Sequence, residues 1–214
     1  MIADHDWHAL CEVDVLTDHW DRPGWRPGRR SYHWFITLSD QPALIDLARR
    51  CQQALAALQL DPVPPEALHL TLCRVAFTDQ ITATQARSVA EAVRRRADGL
   101  SPLRLGVGPL AGSRGAIRFT VSPWAPLMEL HTRLTEATTA VLATGGGGTD
   151  RFRPHVSIAY SNRSVAASSV RDAIEPLRRL RPVQVTAEAA HLVVLREEQH
   201  TYRWETFETL FFTE

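Results

Sequence analysis

The stretch Leu68-His69-Leu70-Thr71-Leu72-Cys73-Arg74-Val75-Ala76 (residues 68–76) decides how the rest of the chain reads. It is β-branched and apolar, with a histidine and a hydroxyl residue two places apart, so it reads as a strand. Side chains alternate with period two along a strand. His69, Thr71 and Cys73 are therefore expected on one face, and Leu70, Leu72 and Arg74 on the other. The same pattern returns at His155-Val156-Ser157-Ile158-Ala159-Tyr160 (residues 155–160). There His155 and Ser157 share a face, and alternation points Tyr160 away from it, into the core. Among nine histidines composition alone would give roughly one such match. The flanks carry the specificity: both motifs lie in strand-like runs, one in each half of the chain.

Working outward, each motif comes after a predicted helix. Tyr32–Leu38 reads as a strand, and Gln41–Leu58 as an amphipathic helix ended by Asp61-Pro62-Val63-Pro64-Pro65. Helices are expected over Thr82–Arg96, Pro126–Leu142 and Val165–Leu180. Strands are expected at Leu103–Val107, Ala116–Val121, Val183–Thr186, Ala190–Leu195 and Tyr202–Leu210. Each half thus offers two helices and several strands, a duplication of elements rather than of sequence. Residues 1–30 are rich in Trp, Pro and Arg and read as an irregular arm, with residues 31–214 as a single domain. Gly145–Gly148 lacks the Lys-Ser/Thr ending of a phosphate-cradling loop and reads as a mobile connection.

Composition narrows the chemistry. The chain has 214 residues, 44% of them hydrophobic, enough for one core. No apolar run reaches the roughly 18 residues that a membrane span needs. Charges balance at 24 basic and 24 acidic, which disfavours binding of long duplex nucleic acid. All 24 basic residues are arginine, so Schiff-base lysine chemistry and the phosphate-loop lysine are excluded. The three cysteines are scattered, with no Cys-x-x-Cys, and fit a reducing cytoplasm.

Two facing strands of this kind would make a cleft holding two imidazoles and two hydroxyls. Displacement at a phosphodiester needs a base for the incoming oxygen and an acid for the leaving one. Histidines can hold both states near neutrality, while hydroxyls can donate to the non-bridging oxygens. His-x-Thr lacks the clustered ligands that zinc prefers, so no metal and no cofactor are expected.

These paired motifs resemble the His-x-[Thr/Ser]-x signatures of the 2H phosphoesterase superfamily, in particular its 2′-5′ RNA ligase-like (LigT-like) branch. Phe152-Arg153-Pro154 before the second motif and Tyr202-Arg203-Trp204-Glu205 near the end add to the likeness. The resemblance implies an α+β, bilobal LigT-like fold with two antiparallel sheets, helices outside, pseudo-two-fold symmetry and a central cleft. It implies hydrolysis of 2′,3′-cyclic phosphates or reversible 2′-5′ RNA joining. It carries His69 and His155 over as the acid/base pair, and Thr71 and Ser157 as phosphate anchors. Cys73, on the expected cleft face, stands where a larger polar residue is usual. Cys73, Arg153, Trp34, Phe35 and Phe152 are candidates for substrate contact, each with core packing or a surface position as the plainer reading. The expected partner is a nucleotide with a cyclic phosphate or an RNA end, bound by a monomer. A non-catalytic nucleotide-binding module and a biosynthetic enzyme reusing the cleft are the alternatives.

Overall fold

The computed structural model describes residues 2–97, 99–142 and 152–213. Gly145–Gly148 lies outside the described residues. In chain order the elements are α1 (Ile2–Cys11), β1 (Val15–Leu16), β2 (Arg30–Thr37), α2 (Pro42–Ala54), β3 (Asp61–Pro62), β4 (His69–Phe77), α3 (Ala83–Arg96), β5 (Leu103–Gly112) and β6 (Ala116–Ser122). They continue with α4 (Trp124–Val141), β7 (His155–Tyr160), β8 (Val165–Ala166), α5 (Ala167–Ile174), β9 (Val183–Ala187), β10 (Ala189–Glu198) and β11 (Thr201–Phe211).

Two antiparallel sheets form the two lobes. The first has the order β11-β10-β2-β4, and the second β3-β7-β6-β5-β9. Each therefore holds one His-x-hydroxyl strand, and β4 and β7 approach each other where the lobes meet. The lobes are not the two halves of the chain. The C-terminal hairpin β10–β11 returns to pair with β2 in the first sheet. Helix α2 crosses to pack on β7 and β9 of the second sheet, whereas α3 and α4 pack together over the first. This exchange interlocks the lobes and buries apolar faces of both sheets.

Local chemistry explains where the helices begin and end. Pro42 sits at the start of α2, where its missing N–H would have had no partner anyway. Thr82 and Gln85 close a capping box at the start of α3. The helix expected over Val165–Leu180 is shorter: α5 stops at Ile174, and Glu175–Arg179 tightens into a 3-10 turn around Pro176, which cannot donate into an α-helical ladder. Likewise α2 ends at Ala54 and a 3-10 turn covers Ala56–Leu58. Among the described residues no helix is long and apolar enough to cross a membrane.

The arm departs most from expectation. Residues 2–11 are helical and pack on β5, β6 and α5, and β1 pairs with β8. Leu10 is fully buried. A side chain at Gly112 would meet Leu10 Cδ1 at 3.0 Å, so this glycine lets the arm lie against β5.

Candidate active site

The site is shaped by two bulges in matching places. Along β4, Thr71 pairs with Phe35, but the next partners are Cys73 with Trp34 and Arg74 with His33, so Leu72 is the extra residue. Along β7, Ser157 pairs with Arg118, then Ala159 with Ile117 and Tyr160 with Ala116, leaving Ile158 extra. Each bulge falls on the residue directly after the hydroxyl. A bulge breaks the alternation and re-aims the side chains beyond it. Directly opposed residues of an antiparallel pair share a face. Arg74 therefore joins His33, Phe35 and Thr71, while Cys73 turns with Trp34 to the other side. In β7, Tyr160 joins Ser157 and His155.

That explains what surrounds the cavity, of ≈ 280 Å³, between the sheets. His69 and Thr71 reach it from β4; His155, Ser157 and Tyr160 reach it from β7. His33 and Phe35 come from β2, Arg118 from β6 and Tyr202 from β11. The arm adds His19 and Arg22. Among the described residues no carboxylate lines this cavity.

The two motif histidines are held alike. His69 Nδ1 lies 2.8 Å from the Ala67 carbonyl, and His155 Nδ1 lies 2.7 Å from the Arg153 carbonyl. A carbonyl only accepts, so each Nδ1 carries the proton and each Nε2 is the free ring nitrogen. Phe35 stacks on His69 with centroids 4.2 Å apart, fixing the plane of the ring. Arg118 Nη1 stands 3.1 Å from His155 Nδ1. Since Nδ1 donates to Arg153, this is a contact between two donors, and it sets a positive charge beside His155. Burial pushes His69 down to about 4. Burial, with Arg118 adding to it, pushes His155 down to about 3. Both rings are thus neutral near pH 7 in the unliganded protein.

Over residues 38–199 the chain matches the family described as the 2′-5′ RNA ligase superfamily. The chain belongs to this superfamily. Among solved structures it resembles E. coli LigT complexed with 3′-AMP, at 16% identity and a TM-score of 0.62, over 87% of this chain and 99% of LigT. It also resembles TT0787 of Thermus thermophilus, at 16% identity and a TM-score of 0.64, over 86% of this chain and 97% of that one. E. coli LigT complexed with NADP+ gives 15% identity and a TM-score of 0.61 over 87% and 99%. At these identities the likeness is one of fold, and it is the bilobal LigT-like α+β fold. No curated protein sequence matches the chain.

The superfamily match takes in β4, β6 and β7, and so His69, His155, Thr71, Ser157, Arg118 and Tyr160. It leaves outside the arm with His19 and Arg22, all of β2 with His33 and Phe35, and Tyr202. Several sequence expectations are corrected by the geometry. Cys73 does not line the cavity; the Leu72 bulge turns it toward the core, where burial pushes its thiol up to about 12. Tyr160, expected in the core, lines the cavity because of the Ile158 bulge. Trp34 is buried on the face opposite Phe35, and only Phe35 of that pair reaches the cavity. Phe152 stacks on His131 with centroids 4.2 Å apart and does not line the cavity. Arg153 is absent from the cavity wall too, and contributes its carbonyl to His155.

Sequence reasoning missed His19, Arg22, His33, Arg118 and Tyr202. One signal was available for Arg118: an arginine inside the otherwise apolar run Ala116-Ile117-Arg118-Phe119-Thr120-Val121 is costly to bury without a purpose. Its charge is met by Asp6 of α1, with Nη2 and Oδ1 3.7 Å apart and both side chains buried. Thr120 Oγ1 donates to the other Asp6 oxygen at 2.8 Å.

Proposed function

We propose that this superfamily member is a metal-independent phosphodiesterase that acts on 2′,3′-cyclic phosphates or 2′-5′ RNA linkages through His69 and His155. The observation that carries this reading is the matched pair of imidazoles, each anchored through Nδ1 to its own strand and each leaving Nε2 free at one shared cavity. In the hydrolytic direction one Nε2 takes a proton from water as its oxygen attacks phosphorus. The other ring, protonated, gives its proton to the ribose oxygen as the P–O bond breaks. Thr71 and Ser157 donate to the non-bridging oxygens, where charge accumulates.

Arg118 supports one assignment of the two roles. A cation 3.1 Å from the His155 ring disfavours its protonated form, so His155 is the base. His69 has no such neighbour and is the acid. The three cysteines are free thiols, which suits the cytoplasm.

The test is cleavage of a 2′,3′-cyclic nucleotide in the presence of a chelator by wild type, His69→Ala and His155→Ala. Wild type should turn over, and both variants should lose at least about a hundredfold in kcat. A p-nitrophenyl nucleotide diester, whose leaving group needs no proton, should restore much of the rate to His69→Ala but not to His155→Ala. Full activity of either variant on the cyclic substrate would end this reading.

A further inference from the structure

Four of the groups around the cavity are imidazoles, and two are guanidiniums, Arg22 and Arg118. The two cations are not equivalent. Arg118 is compensated by the buried carboxylate of Asp6. Arg22 meets no carboxylate among the described residues. With no carboxylate on the wall, the cavity keeps one fixed positive charge, and it comes from the arm.

Arg22 is also held in place by aromatic neighbours, and it shares a side-chain hydrogen bond with Tyr202. Its guanidinium carbon lies 4.6 Å from the Trp25 ring centre and 5.1 Å from that of Tyr202. Cation–aromatic contacts of this kind steady the guanidinium, and a fork with five donors keeps others for a ligand. Its Nε is buried and has no hydrogen-bond partner, so it is the outer Nη groups that a ligand would meet. The surrounding segment is pinned at several points. His19 N–H donates to the Ser161 carbonyl at 2.7 Å, and the His19 ring bonds to the Tyr202 hydroxyl at 2.6 Å. Trp20 Nε1 donates to Asp61 at 2.8 Å. The charge of Arg22 is felt by His19, His33, Tyr160 and Tyr202, all of which line the cavity.

We propose that Arg22, carried on the N-terminal arm outside the superfamily match, is a phosphate-binding residue whose fixed charge balances the single negative charge of a bound phosphodiester or phosphate monoanion. An arginine fork donates two parallel hydrogen bonds to phosphate oxygens. The arm is then part of the binding site rather than a covering for the second sheet. This rests on the cavity being the phosphodiesterase site proposed above.

Inorganic phosphate is the probe. Calorimetric titration of the full chain at low ionic strength should show binding to wild type, weakened ~10- to 100-fold in Arg22→Gln, the loss expected for a charge-assisted pair. Arg22→Lys should recover part of it. Unliganded Arg22→Gln should melt close to wild type. Should Arg22→Gln not fold, Arg22→Met, which keeps the apolar stem over Trp25 and Tyr202, serves instead. Equal phosphate affinity in wild type and the charge-free variant, or no binding to wild type, would overturn the proposal. Cleavage of the cyclic nucleotide, measured in parallel, separates the two ideas. Arg22-dependent binding without turnover keeps this site and removes the enzyme, whereas turnover with unchanged binding does the reverse.

Discussion

At the scale of single residues, the proposed chemistry turns on how far water is kept from the imidazoles of the cavity. His69 sits near 4 and His155 near 3, with burial as the leading cause in both. Acid/base catalysis by a pair needs one ring neutral and one protonated. In the free protein at pH 7 both are neutral, and the singly protonated form is scarce. It becomes more abundant as pH falls toward the higher of the two pKa values. Because kcat/KM reports the free enzyme, its value on a 2′,3′-cyclic nucleotide should rise from pH 8 to pH 5. The maximum should lie below pH 6.5, the ordinary histidine value. A pH–rate profile that peaks at or above neutrality would show that these rings are better hydrated than the cavity allows. The pairing of His with a hydroxyl two places on is visible in sequence, and so were Thr71 and Ser157. The depression of the rings was not, because it arises from Phe35, Arg118 and the arm closing around them.

At the scale of elements, the two bulges determine which residues accompany the histidines, and each is secured by a helix from its own lobe. His131 of α4 places Nδ1 2.7 Å from the Leu72 carbonyl. Gln52 of α2 donates Nε2 to the Ile158 carbonyl at 2.9 Å and to the Val63 carbonyl at 2.8 Å. Both bulge carbonyls are thus captured by side chains distant in sequence. This is why strand periodicity places His69, Thr71, His155 and Ser157 correctly yet misplaces Cys73 and Tyr160. The alternation rule is local, whereas the donor that stabilises the irregularity lies on another element. His131→Ala should lower kcat on the cyclic substrate ~10-fold, with a smaller change in KM, because Thr71 loses its register against Phe35. It should also cost about 1–3 kcal/mol of stability by leaving a buried carbonyl unsatisfied. His131→Asn, whose amide can donate from nearly the position of Nδ1, should restore most of kcat. Steady-state kinetics on the two variants check this. A loss of stability alone, with kcat intact in His131→Ala, would mean that the bulge holds without its peg.

At the scale of the whole molecule, the same enclosure that tunes the rings makes the fold sensitive to acid. The element order read from sequence gave two helices and several strands per half, and the α+β bilobal form agrees with it. The exchange of α2 and of β10–β11 between lobes, and the helical arm, depend on contacts far apart in the chain, which no local pattern carries. That closure buries His33 and His69 and half-buries His19 and His155 around one cavity, pushing His19 and His33 to about 3 as well. Each of the four binds a proton near pH 6.5 when unfolded but only near pH 3 to 4 when folded. Above about pH 6.5 neither state is protonated and the four contribute nothing to the pH dependence. Below it the unfolded chain binds more protons, so folding stability falls with pH through the window from about 6.5 to about 3. On the proposed mechanism, activity and stability oppose each other on the acid side. Denaturant unfolding at steps from pH 7.5 to pH 4.5 should show the midpoint dropping steadily below pH 6.5. His33→Asn, which removes one of the four titrations, should lessen the slope of stability against pH in that window. An unfolding midpoint that stays level down to pH 5 would mean that these imidazoles titrate almost as freely in the folded protein as in the unfolded chain.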